Sequence, residues 1–400
     1  MADAGVRRRS GFLTAPFLVL CSFYFLVFAA GYQLFPVVPL RLREFGASLA
    51  ESGRFQTAFM LGSGFGSLCT GPMGDRLGQR RVLRVASLAV VVILVIYALL
   101  KVRWVFYLLA PVHGLLWSAL RTASVAKVGT ILPLEHRAQG LSLFGLTGPG
   151  GVAVGPLVGL WLMPHLGFMW MLILLAGVFA LLHGIIGALP REAPREIESK
   201  ALFQWPDRAV WGTVVVMMLV GLGFGPMPPY SAQEAKAIGM AWPATFLTCF
   251  ALGMMAIRGL LALTGMGKRP VRLLPYMIAL ASAGYALLAF MPGGMARHLL
   301  AGLIYGAGYG MVHTLLLMNI FATTPPERTG AAVGALFFAF DAATAFGALG
   351  LGWVMEHLNF RHGWAIGAAL MALSIPVALR IVRRSAAMTT EPVASGILEG

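Results

Sequence analysis

Gly71-Pro72-Met73-Gly74-Asp75-Arg76-Leu77-Gly78-Gln79-Arg80-Arg81 is a glycine-punctuated, charged stretch set between two long apolar runs. A connection between two apolar segments needs only a few polar residues, so this density of charge exceeds what a turn requires. Outward from it, in both directions, apolar runs of about 20 residues recur, each long enough to cross about 30 Å of hydrocarbon as a helix.

Composition leads to the same place. The chain of 400 residues is 58% hydrophobic and 11% charged, with a mean hydropathy of +0.81. A soluble domain carries roughly 25% charged residues to cover its surface, so this chain needs lipid as its solvent. Cys21, Cys69 and Cys249 all lie inside apolar runs, which indicates neither a disulfide framework nor a metal cluster. The formal charge of +15 is spread over short loops and forms no single patch, which excludes a nucleic-acid-binding reading.

Hydropathy predicts an all-α membrane protein of about twelve transmembrane helices. The first six lie near 14–40, 52–73, 82–101, 104–131, 138–163 and 168–189; the second six near 208–229, 241–264, 273–291, 298–322, 330–355 and 363–382. Residues 190–207, with Pro190, Pro194 and mixed charge, read as a cytoplasmic linker between bundles at 1–189 and 208–400, the latter ending in a short cytoplasmic tail. With the N-terminus inside, Arg7, Arg8, Arg9, Arg76, Arg80, Arg81, Arg137, Lys268, Arg328 and most other basic residues fall in the cytoplasm. Arg41, Arg43, Arg54, Lys101, Arg103, Lys236, Arg297 and Arg361 fall outside. The excess of inside Lys and Arg predicts an inner-membrane protein with both termini cytoplasmic.

One fixed offset lays Gly265 over Gly74, Arg272 over Arg81, Arg328 over Arg137 and Gly350 over Gly159. A shared offset predicts two pseudo-symmetric six-helix bundles, with a site between them near the midplane.

The pattern G-x-x-x-D-R-x-G-x-R-R at Gly71, Asp75, Arg76, Gly78, Arg80 and Arg81 resembles the loop signature of the major facilitator superfamily of secondary transporters. The resemblance implies that Asp75 gates the cytoplasmic side, near the start of span eleven, within a network including Arg76, Arg80, Arg137, Glu135, Glu327 and Arg328. Gln79 stands where the family often has a base, and Ala110 where it has an arginine in span four. The G-x-x-x-G-P-x-x-G run at Gly151, Gly155, Pro156 and Gly159 resembles the helix of proton-coupled exporters in that superfamily. Packing by small residues is the plainer reading of the same run.

Span four places His113, Trp117, Arg121 and Ser124 on one helical face, and span ten places Tyr305, Tyr309 and His313 four apart. Spans one, four, seven and ten line the central cavity of the family fold, which makes Arg121, His113, Trp117, Tyr305, Tyr309 and Tyr32 candidate substrate contacts. A guanidinium at mid-span costs at least a few kcal/mol against lipid, so Arg121 is expected to face protein, water or substrate. Asp341 reads as the one carboxylate deep within a span. Burial disfavours a charged carboxylate, which suits a proton carrier; an ion pair with Arg121 or Arg258 is the alternative. His313 is the second candidate proton site, while Lys127 and Arg258 are expected to snorkel to the cytoplasmic surface.

The expected activity is therefore secondary transport of a small organic molecule by alternating access, as proton-coupled export. An importer or facilitator of an organic anion is the alternative, and a transport-dead receptor or membrane enzyme a more remote one. The excess of deep positive charge favours an anionic or zwitterionic substrate. Protons and membrane lipid are the other expected partners. No cofactor, metal or nucleic acid is expected, and the chain is expected to act as a monomer without enzyme activity.

Overall fold

The protein, known here from a computed structural model, is described over residues 13–132, 137–187, 189, 210–264 and 270–388. Among these residues it is helical, with no strand. The first half comprises α1 (Ala15–Glu44), α2 (Leu49–Leu77), α3 (Gln79–Leu99), α4 (Arg103–Ile131) and the long α5 (Arg137–Ile186). The second comprises α6 (Trp211–Phe224), α7 (Met227–Ala237), α8 (Thr245–Thr264), α9 (Leu274–Phe290), α10 (Met295–Thr323), α11 (Pro326–His357), α12 (Phe360–Leu373) and α13 (Ile375–Met388). A 3-10 turn at Pro270–Leu273 precedes α9.

Four of the expected spans take a different form. The fifth and sixth run as one helical element, α5, turned at Gly167 (φ 76°), a geometry glycine adopts without a Cβ clash. The seventh is broken at Gly225-Pro226 into α6 and α7 and continues to Ala237, past the expected end near 229. The twelfth is broken at Ser374, where Pro376 follows with no amide to donate. Among the described residues, eight stretches are long and apolar enough to cross a membrane by length and composition. The expected linker, 190–207, lies outside the described residues.

Local signals fix the helix ends. Ser48 accepts from the Glu51 amide while Glu51 accepts from the Ser48 amide, a reciprocal cap that starts α2. Gly78 (φ 83°) ends α2 and starts α3, so the glycine of the charged stretch is the point where the chain reverses.

The helices pair in matching ways in the two halves. α1 packs on α5, and α6 on α11; α2 packs on α4, and α8 on α10. Small residues make these approaches possible. A Cβ on Gly62 or Gly114 would stand 1.9 Å from the Pro111 carbonyl or 1.8 Å from the Phe59 carbonyl, and one on Gly306 or Gly253 would meet Phe250 or Leu303 as closely. The exporter-like run serves the same purpose: Gly151, Gly155 and Gly159 lie against Phe25, Ala29 and Gln33 of α1. Without a hydrophobic force between helices in lipid, such van der Waals contact is a main source of association. A Cβ at position 155 would lie 2.2 Å from the Ala29 oxygen. Gly155→Leu should therefore cost about 1–3 kcal/mol or more, read as a lower melting temperature in detergent. An unchanged melt would show that α1 and α5 separate freely.

Candidate functional site

The two halves meet chiefly along α2 with α11 and α5 with α8. At the centre of the first seam Arg121 of α4 donates from Nη2 to Oδ2 of Asp341 on α11, at 3.0 Å. Ser63 of α2 donates its hydroxyl to the same oxygen at 2.8 Å. Both side chains are nearly buried, Arg121 at 9% and Asp341 at 2% exposure. Of the two readings of Asp341 left open by its sequence position, the structure has it paired with Arg121.

The contact is one-pointed, through a single Nη atom, so most of the guanidinium fork is left for a ligand. Arg121 also lies over the Phe337 ring, 4.6 Å from its centroid, while His313 packs against the same ring at 5.3 Å. Phe337 thus touches both candidate groups. Neither Ser63 nor Phe337 was singled out from the sequence: Ser63 reaches Asp341 only because α2 and α11 cross there, while Phe337 lies one turn before Asp341 on α11 itself.

The remaining candidates divide between the surroundings of Arg121 and the interiors of the two halves. Trp117 sits over Gly31, with Phe28 at 4.9 Å and Tyr32 at 6.4 Å between centroids, so an aromatic wall from α1 and α4 adjoins Arg121. Tyr309 is half-buried and stacks on Phe224 at 4.7 Å. His113 packs instead between Phe59 of α2 and Tyr97 of α3, inside the first half. Tyr305 is fully buried and stacks on Tyr285 at 4.3 Å, inside the second half.

Two further cations differ from the snorkelling expected of them. Lys127 is 2% exposed, a core position and not a surface one. Arg258 is half-buried, gives one long hydrogen bond to Thr314 (3.4 Å), and has a buried Nε with no partner. Among the described residues no carboxylate lies within ion-pair distance of it.

Above the central pair, toward the end of the bundle that carries the α1–α2 and α11–α12 turns, a ladder of polar contacts joins the halves. Thr57 donates to the Ala345 carbonyl (3.1 Å), Gln56 to the Gly225 carbonyl (2.9 Å) and Gln233 to the Ser52 hydroxyl (3.0 Å). At the top, Glu356 accepts from the Ser48 hydroxyl (2.7 Å) and the Ala50 amide, at the start of α2. A carboxylate at a helix N-terminus answers both the open amides and the positive end of the dipole. This distal end is closed.

At the opposite, charged-loop end, Arg76 and Arg81 are exposed, and Arg80 donates to the Ile186 and Gly187 carbonyls at the end of α5. Gly71, Asp75, Arg137 and Arg328 fall on α2, α5 and α11, and their side chains lie outside what is described. Glu135 also lies outside the described residues, as does the side chain of Glu327.

A second buried carboxylate escaped the sequence reading. Glu234, 2% exposed, lies on α7 beyond 229, the expected end of the seventh span. Arg297, expected outside, is buried against it.

The profile described as Major Facilitator Superfamily matches residues 20–348. The multidrug resistance protein MdtG of Escherichia fergusonii is 24% identical over 74% of this chain and 78% of its own. The staphylopine export protein of Staphylococcus aureus is 24% identical over 62% and 65%, and a gallate transporter of Pseudomonas putida 27% identical over 49% and 46%. Among solved structures, the human organic anion transporter MFSD10 (TETRAN) superposes with a TM-score of 0.70 at 17% identity, covering 90% of this chain and 98% of that one. The paired helix packing, the multi-pass sequence and the profile match over most of its length agree: this chain belongs to the major facilitator superfamily of membrane transporters.

Proposed function

We propose that the chain exports a small zwitterionic organic molecule in exchange for protons, by alternating access at the seam between its halves. The observation that carries this reading is the buried Arg121–Asp341 pair, in which a permanent cation and a titratable acid face each other across that seam. A carboxylate on the substrate competes with Asp341 for Arg121, and an ammonium on the same molecule competes with the proton for Asp341. Substrate and proton then exclude one another, which is what antiport requires. With the charged loop on the cytoplasmic side, the closed distal ladder faces outward and the site loads from within. Asp75 and its neighbours are proposed to close that inner side in the other half of the cycle. The named functions of the exporter relatives agree with this direction.

A second reading rests on Arg258, the cation without a carboxylate partner among the described residues. A simple organic anion would bridge Arg121 and Arg258 and release Asp341 to take up a proton. Anion and proton then favour one another, which is symport and suits uptake. The gallate transporter relative agrees with that alternative.

The two readings predict opposite signs of linkage. Candidate substrates come from comparing metabolites in cells with and without the protein. The affinity of the purified protein for each is then measured from about pH 8 to about pH 5.5. Exchange for one proton predicts that affinity falls as pH falls, by up to about tenfold per pH unit. An affinity that rises on acidification overturns the antiport reading in favour of symport. Counterflow in vesicles with an imposed pH gradient checks the direction of flux.

A further inference from the structure

We infer that Glu234 and His298 form a second proton-binding site, separate from Asp341, whose occupancy controls the distal latch. Glu234 receives Arg297 Nη2 on Oε1 at 2.7 Å and the Trp364 indole N–H on Oε2 at 2.7 Å. Arg297 is itself fixed by a bond to the Leu288 carbonyl at 3.2 Å. His298, fully buried, points its Nε2 at Glu234 Oε2 from 3.6 Å, and that nitrogen has no hydrogen-bond partner.

The other ring nitrogen decides what this means. His298 Nδ1 lies 2.9 Å from the Gly294 carbonyl, which can only accept, so Nδ1 carries a hydrogen. A neutral ring therefore turns the Nε2 lone pair toward a carboxylate oxygen, and the two repel. One added proton converts that contact into a charge-assisted hydrogen bond. Ring and carboxylate are thus built to share a proton that the closed arrangement leaves out.

Charge accounting gives the conformational consequence. Glu234 and Arg297 cancel, so the added proton leaves a net positive charge in a cluster shut off from water. The other polar or titratable groups of the surrounding helices do not offset it. Tyr285 of α9 packs by its ring on Trp364 at 5.1 Å, Tyr305 of α10 stacks on Tyr285, and Cys249 of α8 lies against Gly302. Arg361 of α12 donates to the Ala289 carbonyl, and Lys236 of α7 is exposed. An unbalanced buried charge favours whichever conformation admits water to it. The nearest route is release of α7, because Gln233, adjacent to Glu234, holds Ser52 of the other half, and Tyr230 one turn earlier lies against Gly53 and Gly352. Protonation should therefore open the distal end.

The test needs no transported ligand. Spin labels at Lys101→Cys and Leu358→Cys, exposed positions at the distal ends of the two halves, are placed in the full chain with its three native cysteines replaced by serine or alanine. The inter-label distance distribution is followed from about pH 8 to about pH 5, the range over which an imidazole changes charge. The expected result is a longer-distance population whose ratio to the closed one rises about tenfold or more on acidification. His298→Gln should remove this response while the protein keeps its elution volume and melting temperature, and Asp341→Asn should retain it. An unresponsive cysteine-substituted parent overturns the inference, as does a full response in His298→Gln. Loss of the response in Asp341→Asn would assign the sensing to the central pair, and that outcome too overturns it, while leaving the antiport reading intact.

Discussion

Asp341→Asn is expected to abolish pH-driven accumulation of substrate in proteoliposomes, down to the level of vesicles without protein. Asn can still accept the Ser63 and Arg121 hydrogen bonds, so the seam keeps its shape. It cannot take up and release a proton under these conditions. Exchange of substrate for substrate requires no net proton movement and should stay within a few fold of wild type. An Asn variant that still concentrates substrate when driven only by pH would move the proton elsewhere. His313, which packs against the same Phe337 ring as Arg121, would be the next position to replace.

Arg121→Ala is expected to have the larger structural effect. It leaves Asp341 buried at the seam with Ser63 as its sole remaining side-chain partner among the described residues, and breaking a buried pair from one side costs about 3–5 kcal/mol. The double variant Arg121→Ala/Asp341→Asn should recover much of that stability, because no uncompensated carboxylate remains. A double-mutant cycle on thermal or denaturant unfolding measures the coupling. Neither variant should transport. Arg121→Lys should fold near normally yet bind substrate more weakly, since a point charge does not reproduce two parallel hydrogen bonds to a carboxylate. Wild-type affinity in a folded Arg121→Ala protein would reduce Arg121 to a structural partner of Asp341.

The membrane class was legible because hydropathy acts locally, within one span, and the repeat because one offset aligns glycines and arginines of the two halves. Arg121 and Asp341 were legible for the same reason: a charge far from either end of an apolar run is conspicuous wherever it points. Their pairing was one of several sequence-compatible options, since Arg258 was an equal partner until the helices were placed. Ser63 and Phe337 carried no signal of their own. Glu234 was hidden because the apolar run fades near 229, while Pro226, Pro228 and Pro229 occupy the break and first turn of α7, where missing amides cost nothing, and the helix runs on to Ala237. Lys127 was misread because proximity to a helix end does not reveal which face a side chain takes. His113 and Tyr305 share periodic faces with Trp117 and Tyr309, yet Tyr97 and Tyr285 from neighbouring helices cover them.

The rungs along α2, from Ser48 at the top through Ser52, Gln56 and Thr57 to Ser63, are individually modest and arranged in series. A typical hydrogen bond nets about 1 kcal/mol, so losing one changes the ratio of shut to open forms several-fold without unfolding either. The resting bias of the transporter is therefore a tunable quantity, adjustable by single replacements far from the cargo. Relatives sharing the same central chemistry could differ in turnover and apparent affinity through this seam alone, because a carrier that rests in the wrong orientation must first climb to the competent one.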